Sequence, residues 1–61
     1  MANITSKELT ALEDQLNAED VLIKKYHTLA AQCADPSIKG QLDEIADRHR
    51  CHYNTLTTFL Q

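Results

Sequence analysis

Hydrophobic residues recur along the chain at alternating steps of three and four, with one break near residue 35. This spacing places them on one face of an α-helix, so the pattern predicts an all-α protein made of two amphipathic helices. The first stripe runs through Leu9, Leu12, Leu16, Glu19, Ile23, Tyr26, Ala30 and Cys33. The second stripe runs through Ile38, Leu42, Ile45, His49, His52, Leu56 and Phe59.

The start of helix 1 carries a recognisable capping signal. Thr5 is a good N-cap residue, and Glu8 follows it by three positions, which is the pattern of a capping box. Neither Gly nor Pro interrupts the chain from there to residue 35. Helix 1 is therefore predicted to span about residues 6–34.

The turn between the helices is predicted at Asp35-Pro36. Asp35 suits the N-cap of helix 2, and Pro36 suits its first position, where the missing N–H costs nothing. A proline also disfavours helix at the residue before it, so helix 1 must end here. Helix 2 is predicted over about residues 36–60. Because the connection is short, the two helices form an antiparallel hairpin, a single domain over residues 1–61.

The chain is too short to bury a large core by itself. It has 61 residues, and scaffolds of this size usually need disulfides, a metal or a partner chain. Val21, Leu22 and Leu29 widen the stripe of helix 1, as expected for a helix with two neighbours in a bundle. We therefore expect a homo-oligomer, a dimer or larger, in which two hairpins join into a four-helix bundle.

Polar residues interrupt both stripes at one predicted level of the hairpin. With the turn centred near residue 35, Glu19 lies level with about residue 51, between His49 and His52. Buried charged groups are costly unless they are paired, hydrogen-bonded or bound to metal. Carboxylate and imidazole suit transition metals, so these three residues are predicted to be metal ligands, for Zn, Fe, Mn or Cu. Two paired copies would bring two Glu and four His residues together.

Two other interpretations of these residues stay open. A hydrogen-bonded Glu–His layer sets register or oligomeric state in some helical cores without any metal. Alternatively, the stripe is rotated so that these side chains reach solvent. His27 is one position off the stripe and is expected to be exposed. Cys51 borders the predicted layer but is not expected to be a ligand.

Composition and charge exclude several classes of function. Six Lys and Arg against nine Asp and Glu give a net charge of −3 without a basic stripe, which argues against a nucleic-acid partner. The apolar runs are too short to span a membrane, and the first nine residues lack a signal-peptide pattern, so a cytoplasmic protein is expected. No nucleophilic triad or Gly-rich phosphate loop appears, which favours a protein that is not an enzyme.

Cys33 and Cys51 lie about 20 Å apart along the hairpin, out of reach of a disulfide within one chain.

Several short motifs give the chain a resemblance to a known group of proteins. The motifs are Leu12-Glu13-Asp14-Gln15-Leu16, Lys24-Lys25-Tyr26, Ala31-Gln32-Cys33-Ala34-Asp35-Pro36 and His49-Arg50-Cys51-His52-Tyr53. Together they cover nearly the whole chain and resemble the short clostridial proteins similar to spore coat protein F, of the ferritin-like helical class. The resemblance implies a ferritin-like four-helix bundle, a link to sporulation and the spore coat, and other spore coat proteins as partners.

The resemblance also bears on the predicted ligands. Ferritin-like di-metal proteins carry a Glu on one helix and Glu-x-x-His on the next. Glu19 matches the first Glu and His52 matches the histidine, but His49 stands where the motif has its second Glu. The exchange removes a bridging carboxylate used in di-iron oxygen chemistry and leaves plain metal binding open.

The expected function is that of a small homo-oligomeric structural or assembly protein resembling spore coat F proteins, with a buried Glu/His layer. The alternative is a metal-binding ferritin-like protein, with or without redox activity, that uses the same cluster. A protein–protein adaptor with an exposed groove is a third, more weakly supported alternative.

Overall fold

Two α-helices joined by a short turn form the whole fold in a computed structural model that describes residues 4–61. Helix α1 spans Ser6–Gln32, and helix α2 spans Pro36–Thr57 and continues as a single 3-10 turn, Thr58–Leu60. The helices pack side by side in an antiparallel hairpin measuring 46 × 16 × 11 Å. No strand occurs within residues 4–61, which confirms the predicted all-α hairpin. The first three residues of the predicted domain lie outside the described part.

The predicted capping box is present at the start of α1. The Thr5 hydroxyl accepts a hydrogen bond from the backbone N–H of Glu8 at 3.0 Å, and the Glu8 carboxylate accepts one from the N–H of Thr5 at 3.1 Å. The hydrogen bond from the Thr5 backbone N–H, with a further contribution from the Thr5 side chain, lowers the pKa of the Glu8 carboxyl below its ordinary value. Two backbone donors that have no partner within the helix are satisfied in this way.

Helix α1 ends two residues before its predicted end. The backbone of Cys33 is already extended, with φ −84° and ψ 126°, and Asp35 is extended as well. The proline at position 36 keeps Asp35 out of the helical conformation. As predicted, Asp35 caps α2, because its carboxylate accepts hydrogen bonds from the N–H groups of Ser37 and Ile38 at 2.8 and 3.0 Å. The chain leaves α1 early because three residues are needed to make the turn.

The α-helical part of α2 is three residues shorter than the predicted range of 36–60. The hydroxyl groups of Thr57 and Thr58 donate to the carbonyl oxygens of Asn54 and Thr55, at 2.7 and 2.6 Å. Such side-chain hydrogen bonds compete with the backbone donors of the helix. The last turn consequently tightens into a 3-10 helix.

The core between the two helices is thin. Among the described residues, its buried apolar side chains are Leu16, Ala30 and Ala46, and no large side chain is fully buried. Two of the three are alanines, which bury little apolar surface each. The hairpin alone therefore gains only modest hydrophobic stabilisation.

Helix α2 is rotated relative to its predicted stripe. Ala46, which the stripe omitted, is fully buried, and Tyr53 is half-buried. Ile38 and Phe59, which the stripe placed inside, are 51% and 56% exposed. In the hairpin itself this part of the prediction is wrong, because the stripe combined residues that face α1 with residues that face away from it.

Neither helix of the described chain combines the length and the hydropathy needed to cross a lipid bilayer.

Replacing Gly40 by alanine is expected to raise the free energy of unfolding by about 1 kcal/mol, because glycine is a poor helix former. Gly40 lies in the second turn of α2, is exposed, and a Cβ added there meets no atom within 4 Å. Chemical denaturation of both proteins measures the difference. The matched control is Ala18→Gly at an exposed position of α1, which should lower stability by a similar amount. A destabilising Gly40→Ala would mean that another surface covers this site.

Candidate metal centre

Glu19 is the buried charged residue at the contact between the two helices. Its side chain is only 6% exposed, and it lies on the face of α1 that includes Leu16 one turn earlier. A buried carboxylate needs hydrogen-bond donors or a cation to offset its lost hydration. One oxygen, Oε1, accepts a hydrogen bond from Gln15 Nε2 at 3.3 Å. Gln15 precedes Glu19 by one helical turn, which is the spacing that brings two side chains together on a helix.

Two histidines of α2 approach the second oxygen of the same carboxylate. His49 Nδ1 lies 3.1 Å and His52 Nδ1 lies 3.4 Å from Glu19 Oε2. An ionised carboxylate only accepts hydrogen bonds, so the Nδ1–H of His49 donates. The two rings meet edge to face, with their centroids 5.7 Å apart. The prediction that these three residues share one level of the hairpin is confirmed.

The two histidines differ in their exposure to solvent. The His49 side chain is mostly covered, whereas that of His52 is 61% exposed. The sequence placed His52 in the interior, and the rotation of α2 described above is the reason for the difference. The cluster therefore opens to the surface on the side of His52, along a groove whose lining residues are Gln15, Glu19, His52, Thr55 and Leu56.

Tyr26 supports the inner histidine. Its ring stacks on that of His49 with centroids 5.9 Å apart and an interplanar angle of 14°. Side chains on a helix lean toward its N-terminus, so Tyr26 reaches back from its own level toward that of Glu19. Sequence reasoning assigned Tyr26 to the core but not to this cluster, because it compared only the levels of the backbone. It also missed Gln15, although the four-residue spacing to Glu19 was a usable signal.

The cluster favours the ionised form of Glu19. Burial alone raises the pKa of this carboxyl, but the hydrogen bond from His49 and the electrostatic interactions with His49 and His52 outweigh it. With a smaller contribution from Gln15, the pKa of Glu19 lies below its ordinary value of 4.5. An ionised carboxylate is the form that binds a metal ion.

The geometry provides a set of three ligands for a metal ion. One nitrogen of each imidazole and one carboxylate oxygen of Glu19 lie within 4.8 Å of one another. Two imidazoles and a carboxylate form a known zinc ligand set that leaves one coordination position open, and they suit iron and manganese as well. A metal ion at this cluster would either replace the Nδ1 proton of His49 or bind at the Nε2 atoms, with Glu19 orienting both rings from behind.

The other candidate residues lie outside this cluster. His27 is exposed, as expected, and its Nε2 lies 3.2 Å from Arg50 Nη2. The second nitrogen of His27 lies 3.9 Å from the carboxylate of Asp43. Cys33 and Cys51 are both free thiols, in agreement with the prediction that no bridge joins them. Neither cysteine belongs to the ligand set within the described residues.

In the presence of a chelator, the free energy of unfolding is expected to fall as the pH is lowered below about 4.5. The pKa of Glu19 is lower in the folded than in the unfolded protein. Its stabilising effect is therefore complete above the unfolded value and is lost as the pH falls through the folded value. Glu8 contributes in the same direction, so the difference between wild type and Glu19→Gln isolates Glu19. Urea denaturation at a series of pH values measures both profiles.

The control for this experiment is Glu13→Gln, at an exposed acid of the same helix. Its free energy of unfolding should exceed that of Glu19→Gln by as much as the wild-type value does, at each pH. An unchanged pH profile in Glu19→Gln would contradict the ion pairing described here.

The whole chain was also compared with known proteins. No family model matches it, and no solved structure matches it. It is 36% identical over 58 residues to the uncharacterized protein YuzM of Bacillus subtilis (strain 168), a match that covers 95% of this chain and 72% of the relative. A stretch of 58 of the 61 residues includes both α1 and α2. The protein therefore belongs to the same family as Bacillus subtilis YuzM.

Proposed function

We propose that this protein is a small homo-oligomeric structural protein in which two hairpins join into a ferritin-like four-helix bundle. The observation that carries the proposal is an exposed apolar surface beside a thin core. Its residues recur at seven-residue intervals along both helices, the pattern of helices that pack against other helices. We call this surface the open face, and it consists of Leu22, Leu29, Ile38, Ile45, His52 and Phe59. Leu22 and Ile45 are half-buried, and the other four side chains are exposed.

The exposed area of the hairpin supports association. Its accessible surface is 4650 Å², whereas a compact monomer of 6.9 kDa exposes about 4,000 Å². The excess approaches the roughly 800 Å² that each partner buries in an interface of standard size. Covering the open face would bring the exposed area to that of a compact protein.

The chemistry of the two sides of the hairpin favours the open face as the interface. The opposite side is polar and charged, and it carries Asp20, His27, Asp43 and Arg50. The open face is apolar except near its middle, where the Glu19 cluster reaches the surface at His52. A partner must therefore present a row of apolar side chains that is interrupted at one level by polar groups. A second copy of this chain has that pattern.

The motifs similar to spore coat protein F support a place for this assembly in sporulation. In this proposal the protein acts in the cytoplasm of the sporulating cell or in the spore coat, together with other coat proteins. It acts through the surfaces that it buries rather than through a reaction.

Metal binding by Glu19, His49 and His52 is a second candidate function. The closeness of three ligand atoms of suitable chemistry favours it. Zn, Fe and Mn all accept imidazole and carboxylate ligands, and iron or manganese would add redox chemistry. The two candidates are compatible, because the cluster lies beside the open face.

Replacing Phe59 or Ile38 by serine is expected to weaken self-association at least tenfold, as measured by sedimentation velocity over a range of protein concentrations. Fully burying either side chain contributes about 1.5–3 kcal/mol, and a twofold interface contains each residue twice. The matched control is Val21→Ser, since Val21 is 63% exposed on the side of α1 that points away from α2. A wild-type protein that stays a folded monomer at all concentrations would refute self-association.

Protein purified without chelator or affinity tag is expected to retain a transition metal if the second candidate is correct. Elemental analysis gives the metal-to-protein ratio, and His52→Ala should lose the metal. His27→Ala is the control, because it removes a histidine of the opposite side. Equal metal content in wild type and His52→Ala would rule out this ligand set.

A further inference from the structure

The Glu19 cluster lies at the middle of the hairpin. Thirteen residues of α1 lie on either side of Glu19. On α2 and its 3-10 extension, thirteen helical residues precede His49 and eleven follow it. A cluster at the midpoint of a hairpin stays at the same height along the long axis when that hairpin is turned end over end. Its level in a dimer therefore does not depend on the relative direction of the two hairpins.

Closed dimers are usually related by a twofold axis. If the axis runs along the hairpins, both turns lie at the same end. If it runs across them, the turns lie at opposite ends. In either arrangement, full overlap of the two open faces brings the two Glu19 clusters to one level.

The cluster is incomplete on the side that a partner would cover. Glu19 is buried and His49 is held under the Tyr26 ring, but His52 is exposed on the open face. Three protein ligands leave a zinc ion one short of the four that structural zinc sites have. In a single hairpin that position would be left to water, whereas in a dimer the partner would place a further imidazole at the same level.

We infer that one divalent transition metal ion per dimer is held between two copies of the chain, with His52 of the partner subunit completing the ligand set of Glu19, His49 and His52. Because this ion uses both His52 rings, the equivalent position on the other copy stays empty. This inference rests on the proposed self-association and on the second candidate function. Two apolar residues of the open face lie near this level: Leu22, three positions after Glu19 on α1, and Ile45, seven positions before His52 on α2. In the dimer they would help to keep water from the site. Metal binding and dimerisation then assist each other.

This mutual assistance is quantitative. If dimerisation tightens metal binding by some factor, the metal must tighten dimerisation by the same factor. The dissociation constant of the dimer therefore depends on free metal, and the affinity for metal depends on protein concentration. A metal held within one hairpin predicts neither dependence.

Sedimentation equilibrium in Zn²⁺ and in chelator tests the inference with the full chain. We expect Zn²⁺ to lower the dissociation constant of the dimer at least tenfold in wild type and in His27→Ala. His52→Ala should show no such change, and circular dichroism checks that this variant keeps its helices. Co²⁺ provides a second measurement, because its visible absorption per chain should rise with protein concentration.

Each other outcome overturns the inference in a distinguishable way. Zn²⁺ bound with an unchanged dimer constant would place the ion within one hairpin and leave both functions standing. A dimer that binds no Zn²⁺ would remove metal binding and leave self-association. A monomer under all conditions would remove self-association and the shared site together. A Zn²⁺ response lost in His27→Ala would move the metal to the polar side.

Discussion

A carboxylate enclosed between two helices must be paired, and in this protein that requirement fixes how the helices meet. Glu19 finds its partners in Gln15 on its own helix and in His49 and His52 on the other. Sliding α2 by one turn, about 5.4 Å, would carry both imidazoles away and leave the charge unpaired. Breaking a buried pair in this way costs roughly 3–5 kcal/mol. The small apolar side chains of the core, Ala30 and Ala46, offer little steric resistance to such a slip.

The residues of the Glu19 cluster therefore have two roles: they align the two helices, and they form part of the exposed surface. The inner part of the cluster, with Tyr26 stacked on His49, sets the alignment of the two helices. The outer part, at His52, lies in an apolar row that the hairpin leaves uncovered. The hairpin does not enclose that row by itself, so its fold and its proposed self-association draw on one set of side chains. The proposed assembly follows from this arrangement.

Local sequence signals predicted most of the fold. The Thr5–Glu8 capping box and the Asp35-Pro36 turn are present as expected, and the level of Glu19 against the two histidines followed from counting residues back from the turn. These features depend on nearest neighbours or on helical rise alone. They need no knowledge of how one helix is rotated against the other.

The remaining features depend on that rotation and on the lengths of side chains. Apolar residues lie on two adjacent sides of α2, so spacing alone did not tell which side meets α1, and Ala46 and Tyr53 were missed. The stacking of Tyr26 depends on the lean of a long side chain, which a count of backbone levels omits. The early end of α1 depends on the geometry of the turn before Pro36. The early end of α2 depends on hydrogen bonds from the hydroxyl groups of Thr57 and Thr58.

The central position of the Glu19 cluster has a consequence for how the proposed dimer can change in evolution. A polar group near one tip of a hairpin would meet its counterpart in only one of the two ways of stacking two hairpins. At the midpoint it meets its counterpart in both. In the proposed dimer, mutations on the open face would thus be free to reverse the relative direction of the two chains while preserving the contact between the two clusters.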